Sequence, residues 1–477
     1  MIKTADHLYL QVADNIEQLI EKEVMKIGEK LPSVRMLSKQ QGISLSTAFQ
    51  AYYHLEAKGL IESRPKSGYY IRFNSHRMPA IPSISSPVKK SCEVSVTEMV
   101  MQVFNRYRGT ANNLVDFSIA MPPATILPAA KMAKAVTHAL RTLPNYGVGY
   151  EPLQGNLTLR TQIGRLSLSW GAAYTGDDVV TANGCMDALT LSLSAVTKPG
   201  DTIAIESPAY HGSMQLAEGL GLKVLEIPTH PVTGIDLAYL DKAIPKHKIR
   251  ACLFVTNFNN PMGFCMSEQN KKELVDIIVK YDIALIEDDI YGDLYFGKHR
   301  PVNCKTFDKH GHVLLCSSIS KSLAPGYRVG WTIPGRYKDK VLAIKHNHSI
   351  STASITQAAV GHFLEIGRYE FHLKNLRKML HTQCLRYSQA LQEYFPEGTK
   401  ISRPEGGCVL WIELPESVNT FELFQQALKH QITFCPGRIF SLQNKYNNCL
   451  RISFGTPYNK QVDDALRTLG KLVRKMS

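Results

Sequence analysis

A lysine stands in the stretch SSISKSLAPGYRVGW, residues 317 to 331. A neutral lysine amine attacks carbonyl carbon. The hydroxyls of Ser318 and Ser320 and the guanidinium of Arg328 are the donor types that gather around an anion. A lone lysine is more often a solvated surface group, but the apolar run HVLLCSS precedes this one and PGYRVGW follows it. Two adjacent acids, Asp288 and Asp289, end the run IALIEDD, with Tyr291 three residues beyond Asp288. Arg451, in NCLRISFG, carries a fork that matches a carboxylate in two-point fashion. ANGCMDAL, residues 182 to 189, has the look of a glycine turn entering a helix, where free N–H groups favour anions. No general base is indicated near Cys185, which argues against a nucleophilic thiol there.

These residues need elements to hold them. Residues 113 to 477 alternate apolar runs (DTIAIES, ACLFVTN, IALIEDD, HVLLCSS) with helical stretches such as MSEQNKKELVDIIVKYD. That alternation predicts a mostly parallel, helix-flanked sheet. Open sheets of this kind place ligands beyond the carboxyl ends of their strands, where Asp288 and the lysine stretch fall. Residues 1 to 73 read differently. Leu8, Val12, Ile16, Leu19 and Ile20 form one helical stripe. Ser33 caps a second helix that ends at Gly42, and Ser44 caps a third that turns Ala48, Tyr52 and Leu55 inward and stops at Gly59. LIESR and YYIRF follow as strands around the turn Pro65-Lys66-Ser67-Gly68. Three helices and a hairpin are the plan of a winged helix-turn-helix. Between these units, residues 74 to 112 are rich in Pro and Ser and read as an extended, exposed linker; residues 93 to 108 have the makings of one helix.

The chain has 477 residues, of which 44% are hydrophobic and 20% charged, enough to bury a large core. No run of about 18 apolar residues suggests a membrane span, and the amphipathic, acidic start does not resemble a secretion signal, so a cytoplasmic protein is expected. The ten cysteines are scattered, with no C-x-x-C pair, which leaves no support for a zinc site and fits free thiols in a reducing compartment. The formal net charge is +14. Between Val24 and Phe73, eight Lys/Arg stand against three Glu, whereas the first helix holds most of the acid. The second and third helices and the hairpin are therefore expected to face a polyanion.

Two resemblances sharpen these expectations. GEKLPSVRMLSKQQGISLSTAFQAYYHLEAKGLIESRPKSGYYI resembles the GntR-type winged-helix module over some 45 residues. It implies double-stranded DNA as a partner, with Arg35 on the backbone, Ser44, Ser46 and Thr47 opening the recognition helix, and Arg64, Lys66 and Gly68 in the wing. The family often has Arg after the opening Ser; this chain has Leu45, so its operator cannot be transferred from relatives. The lysine stretch resembles the lysine loop of fold-type I pyridoxal-phosphate enzymes, the aspartate-aminotransferase superfamily. By that resemblance Lys321 condenses with the aldehyde of pyridoxal 5′-phosphate, and Ser318, Ser320 and Arg328 hold its phosphate with the backbone of Gly184, Cys185 and Met186. Relatives often have Gln or Ser where Cys185 and Met186 stand. Asp288 pairs with the ring nitrogen, although Asp289 is adjacent and only the D-x-x-Y spacing favours Asp288. Tyr291 and Asn260 meet the ring hydroxyl, Tyr210 stacks on the ring, and Arg451 clamps a carboxylate. YEPLQGNLTLR matches a segment that sends Tyr150 to the neighbouring subunit's site, implying a homodimer. His211 is expected to be structural or solvated.

The whole chain resembles the MocR-type subfamily of GntR regulators. That implies an α/β protein: a winged helix-turn-helix (1–73), a linker (74–112) and an aspartate-aminotransferase-like domain (113–477). The last comprises a large part of about 150–345 and a small part of about 113–145 and 346–477. Head-to-tail dimers are implied. The expected function is DNA-binding regulation that senses pyridoxal phosphate, or an amino acid or amine that reacts with it. The alternative is a working aminotransferase with an accessory DNA-binding domain.

Overall fold

The structure, a computed structural model, describes residues 8–21, 25, 29–64, 68–71, 79–105 and 114–477. The chain divides into two units, Met1–Ala80 with Leu385–Glu393 and Ile81–Cys384 with Tyr394–Ser477.

In the first unit, α1 (Leu8–Glu21), α2 (Val34–Gln41) and α3 (Leu45–Ala57) are followed by the hairpin β1 (Ile61–Arg64) and β2 (Gly68–Ile71). The local signals act where they stand. Ser33 accepts a hydrogen bond from the Met36 N–H, and Ser44 accepts one from the Thr47 N–H. Gly42 closes α2 at φ 62°, a conformation costly for any residue with a Cβ. Val12, Ile16 and Ile20 of the first helix meet Leu37, Ala48, Tyr52 and Leu55 in one core. Leu8 and Leu19, placed on the same stripe by periodicity, stay 42% and 36% exposed, because a core this small covers a narrower arc than the stripe. The Tyr52 hydroxyl donates to the Pro32 carbonyl at 2.7 Å, which pins α3 against the turn before α2. The turn residues Pro65, Lys66 and Ser67 lie outside the described residues.

The second unit is built on a large sheet. Its strands are β3 (Cys92–Glu93), β4 (Val180–Ala182), β5 (Thr202–Ser207), β6 (Lys223–His230), β7 (Ile249–Phe254), β8 (Ala284–Asp288), β9 (Val313–Ser318) and β10 (Gly330–Ile333). They lie in the order β3-β6-β5-β7-β8-β9-β10-β4, with Gly234–Ile235 pairing β6 off this path. From β6 to β9 the neighbours are parallel. β10 runs antiparallel to β9 and to β4. The four apolar runs expected as strands are β5, β7, β8 and β9, and all but the first residue of β5 and Arg250 of β7 are buried. A smaller antiparallel sheet joins β11 (Lys400–Ile401), β12 (Val409–Glu413), β13 (Cys435–Pro436) and β14 (Cys449–Ser453) in the order β11-β12-β14-β13.

The segment expected to be an exposed linker is, from Ile81 onward, laid down on this unit as a strap, residues 81–105. Ser83 donates to Glu413 through both its N–H and hydroxyl. Ser85 exchanges hydrogen bonds with the Thr229 backbone, and the Val88 N–H reaches Gln443 at 2.6 Å. β3 then pairs antiparallel with the start of β6, and α4 (Thr97–Asn105) begins where Glu218 receives the Val96 N–H, the Thr97 N–H and the Thr97 hydroxyl. Composition shows that a segment has no core of its own. It does not show that distant side chains will receive its backbone groups.

Among the described residues, no helix is long and apolar enough to cross a membrane.

Partial burial raises the Glu218 carboxyl, but the three bonds from the strap outweigh it and hold the group below its ordinary range. Glu218→Ala is expected to accelerate amide hydrogen exchange at Val96 and Thr97. A depressed carboxyl stabilises above its unfolded pKa and loses that contribution as pH falls through the folded value. The parent should therefore show the same loosening on acidification below about pH 4.

Candidate functional site

Strand ends bring the chemistry-bearing residues together. β8 delivers Asp288, the loop after β7 delivers Asn260, and the turn after β9 delivers Ser320 and Lys321. β14 delivers Arg451. They line one cavity of about 270 Å³ with Cys185, Tyr210, Tyr291 and Arg328. Lys321 lines it together with two arginines, and its Nζ lies 5.8 Å from the Tyr291 ring. Burial, reinforced by the nearby Arg451 charge, pushes the amine below its usual range, which enlarges the neutral, nucleophilic fraction.

The paired acids part company. Asp288 faces the cavity, where its Oδ1 accepts from the Ile290 N–H at 3.1 Å and the Cys185 thiol at 3.4 Å. Burial raises its carboxyl to about 6 despite those donors. Asp289 points the other way. It accepts from Asn257 at 2.8 Å and forms an ion pair with Arg300, which also bonds Asp293 at 2.7 Å. The Arg300 guanidinium lies 4.5 Å over the Trp170 ring. Alternation along an extended chain sends successive side chains to opposite faces, and only one of the two acids was given a cationic partner.

Arg328 of the cavity wall packs against a glycine turn. Gly184, at φ 93°, precedes α5 (Cys185–Val196). A Cβ there would come within 2.3 Å of an Arg328 nitrogen, so the guanidinium occupies space that only glycine leaves. Arg328 donates to the Asn183 carbonyl at 3.1 Å and touches the Ser320 hydroxyl at 3.5 Å. Ser318 accepts the Ser320 N–H at 3.2 Å and, like Gly184, borders the cavity rather than lining it.

Arg451 is buried. It donates to Asn260 at 3.3 Å, to Cys435 at 2.9 Å and to the Ser118 carbonyl, while its Nε has no partner among the described residues. The Tyr291 hydroxyl donates to the Ala120 carbonyl at 3.2 Å. The Tyr210 ring lies 4.5 Å from that of His211 at a tilt of 49°, and the His211 ring also meets Phe104 of α4 at 5.2 Å. Burial and then Arg451 lower His211 to about 3, so the ring is neutral at ordinary pH. His211 and Phe104 both line the cavity. Sequence reasoning set His211 aside and did not single out Phe104. The chain carries no local signal for Phe104, since its place depends on the docking of the strap.

Tyr150 lies elsewhere, 85% exposed, with Tyr146 and Val148 exposed near it in sequence. On the first unit, Arg35 is exposed at the start of α2 and Ser46 on the first turn of α3. The Ser44 and Thr47 hydroxyls are bonded to each other at 2.8 Å. Arg64 pairs with Gly68 across the hairpin; Lys66 lies outside the described residues. Among the described residues, no cluster of His, Cys, Asp and Glu could hold a metal ion.

Comparison with known proteins bears on both units. Residues 112–469 match the model of aminotransferase class I and II, and residues 8–71 match that of bacterial regulatory proteins, gntR family. The uncharacterized HTH-type transcriptional regulator YjiR of Escherichia coli is 39% identical over 470 residues, 98% of each chain. YdcR of the same organism, also described as an uncharacterized HTH-type regulator, is 35% identical over 98% of this chain and 99% of its own. An archaeal alanine:glyoxylate aminotransferase superposes with a TM-score of 0.74 at 24% identity, over 80% of this chain and 96% of that one, a likeness of fold.

Arg300→Leu would leave the buried Asp289 and the partly buried Asp293 without the cation they share. A loss of about 3–5 kcal/mol is expected, read as a lower denaturation midpoint. Burial raises the Asp293 carboxyl, but Arg300 outweighs it and holds the group below its ordinary value. That stabilisation exists above the unfolded pKa and fades as pH falls, so the gap between parent and variant should narrow in acid.

Proposed function

The chain belongs to the class I and II aminotransferase family and carries a gntR-family regulatory domain ahead of it, and from this premise we propose that what occupies the Lys321 cavity sets how tightly the N-terminal unit holds duplex DNA. The protein is a DNA-binding regulator of transcription whose cofactor is pyridoxal 5′-phosphate. The residues present suit that cofactor. A buried carboxyl raised to about 6 is a group in want of a positive partner, as a protonated ring nitrogen would be. The Gly184–Arg328 cradle suits a phosphate. An amine lowered by burial suits an aldehyde.

In this reading Lys321 holds the aldehyde carbon, Asp288 the ring nitrogen, and Tyr291 and Asn260 the ring hydroxyl. Ser318, Ser320, Arg328 and the backbone of Gly184, Cys185 and Met186 hold the phosphate, and Tyr210 stacks on the ring. Bound there, the cofactor supplies an aldehyde that reacts with amines and a ring that withdraws electrons. Arg451, with its unpartnered Nε, orients a ligand carboxylate, so the effector is an amino acid or an amine bearing an acid group. With the cofactor bound, the Lys321 amine would be placed to take or return a proton. Tyr150, exposed here, reaches a second subunit's phosphate in a homodimer.

The observation that carries the regulatory reading is the strap. The chain that leaves the DNA-binding unit is bonded along the second unit and ends with Phe104 in the cavity wall. A ligand that moves Phe104 thus pulls on the segment that tethers the DNA-binding unit. Such a ligand shifts DNA affinity only through its differential affinity for two arrangements. The test is fluorescence anisotropy with duplex DNA from upstream of the protein's own gene, with and without amino acids. Salt-sensitive, sequence-selective binding that changes with an amino compound is expected; identical affinity in every cofactor state would defeat the reading. A second reading, catalytic turnover, is favoured by Asp288, Lys321 and Arg451 lining one cavity. It requires sustained conversion of amino acids with a keto-acid acceptor.

Lys321→Ala should abolish the visible absorption of the loaded protein while the DNA-binding unit stays folded. Arg35→Ala should weaken DNA binding at least severalfold and flatten its salt dependence by about one unit of slope, with cofactor absorption unchanged.

A further inference from the structure

Apart from Glu56, which accepts the Ser63 N–H at 3.0 Å, the outward face of α3 is uncharged. The helix, LSTAFQAYYHLEA, contains no Lys or Arg. Its exposed positions include Leu45 at 54%, Phe49 at 51% and Tyr53 at 43%, with Ser46 and Gln50 beside them. At about 100° per residue these five lie within an arc of roughly 140°, opposite the buried Ala48, Ala51, Tyr52 and Leu55. The fold leaves two large apolar side chains facing solvent on the helix that a helix-turn-helix puts in the major groove. The exposed cations nearby, Arg35 and Lys39, lie on α2, where the groove plan meets backbone phosphate.

Major-groove chemistry restricts what such a face can read. Guanine is selected by the bidentate donors of Arg or Lys, which α3 lacks. Thymine alone offers a methyl group, which apolar side chains contact, and adenine offers the donor–acceptor pair that a Gln amide matches. Leu45 and Phe49 are separated by about 6 Å along the helix axis, close to two base-pair steps of about 3.4 Å each. Resting on the DNA-binding reading above, we propose that α3 reads an A·T half-site: thymine methyls through Leu45 and Phe49, and an adenine edge through Gln50, with no guanine contact from this helix.

The full-length, cofactor-loaded protein is used to select binders from a pool of random duplexes. The selected half-site is expected to hold adjacent A·T pairs at its centre. Replacing its thymines by deoxyuridine, which removes only the methyl, should weaken binding about fourfold per contacted methyl, the equivalent of one buried methyl group. That sensitivity should disappear in Leu45→Ala and Phe49→Ala, whose exposed positions leave the fold intact. Gln50→Ala should relax selection at one adenine by on the order of tenfold. Leu45→Arg should shift the selected site toward guanine. Indifference to deoxyuridine, or a central guanine whose N7 methylation blocks the parent protein, would overturn the proposal while leaving DNA binding standing. If no duplex is enriched at all, the regulator reading falls and this one with it.

Discussion

The second unit rests on the neutralisation of a crowded set of acids. Glu287, Asp288 and Asp289 are consecutive and all buried, and Asp293 is close enough to share Arg300. Carboxylates so packed repel one another and resist ionisation away from water. Arg300 resolves the crowding by taking Asp289 and Asp293. Glu287 is satisfied by the Thr256 hydroxyl and by the backbone N–H groups of Cys304 and Lys305. That leaves Asp288 with hydrogen bonds but no counter-ion, facing the cavity. The carboxylate that faces the cavity is thus set apart as much by what satisfies its neighbours as by its own position.

The same logic explains what the sequence could and could not disclose. Local chemistry was legible because its causes are local: Ser33 and Ser44 cap helices through amides three residues away, and Gly42 sits where φ is positive. The strands were legible because both faces of a parallel sheet are covered, which demands continuous apolar runs. The D-x-x-Y spacing favoured Asp288, but the partner that occupies Asp289 comes from the loop beyond β8 and has no motif. Much of the strap is exposed, as its composition predicts, but its docking is not legible because its bonds run to Glu413, Thr229 and Glu218, each more than 100 positions away. His211 was set aside for a like reason, since nothing near it in sequence says that Phe104 and Phe440 will close over its ring.

The two units solve opposite electrostatic problems. In the cavity, burial makes every charge expensive, so Lys321 is held below its usual range and His211 is kept neutral. On the DNA-binding unit Lys30, Arg35 and Lys39 stay in solvent, where attraction to phosphate costs no desolvation in advance and is screened by salt.

The strap has one more consequence, for where the second unit begins. The aminotransferase match starts at residue 112, yet β3 supplies the outer edge of the large sheet and residues 81–105 occupy the acceptors of Glu218, Thr229 and Glu413. A truncated protein starting at the family boundary would bare a row of unpaired backbone groups along β6, the kind of naked margin that recruits foreign strands into aggregates. The second compact unit therefore starts some thirty residues before the family match, and a boundary cut at Ile81 would keep those bonds.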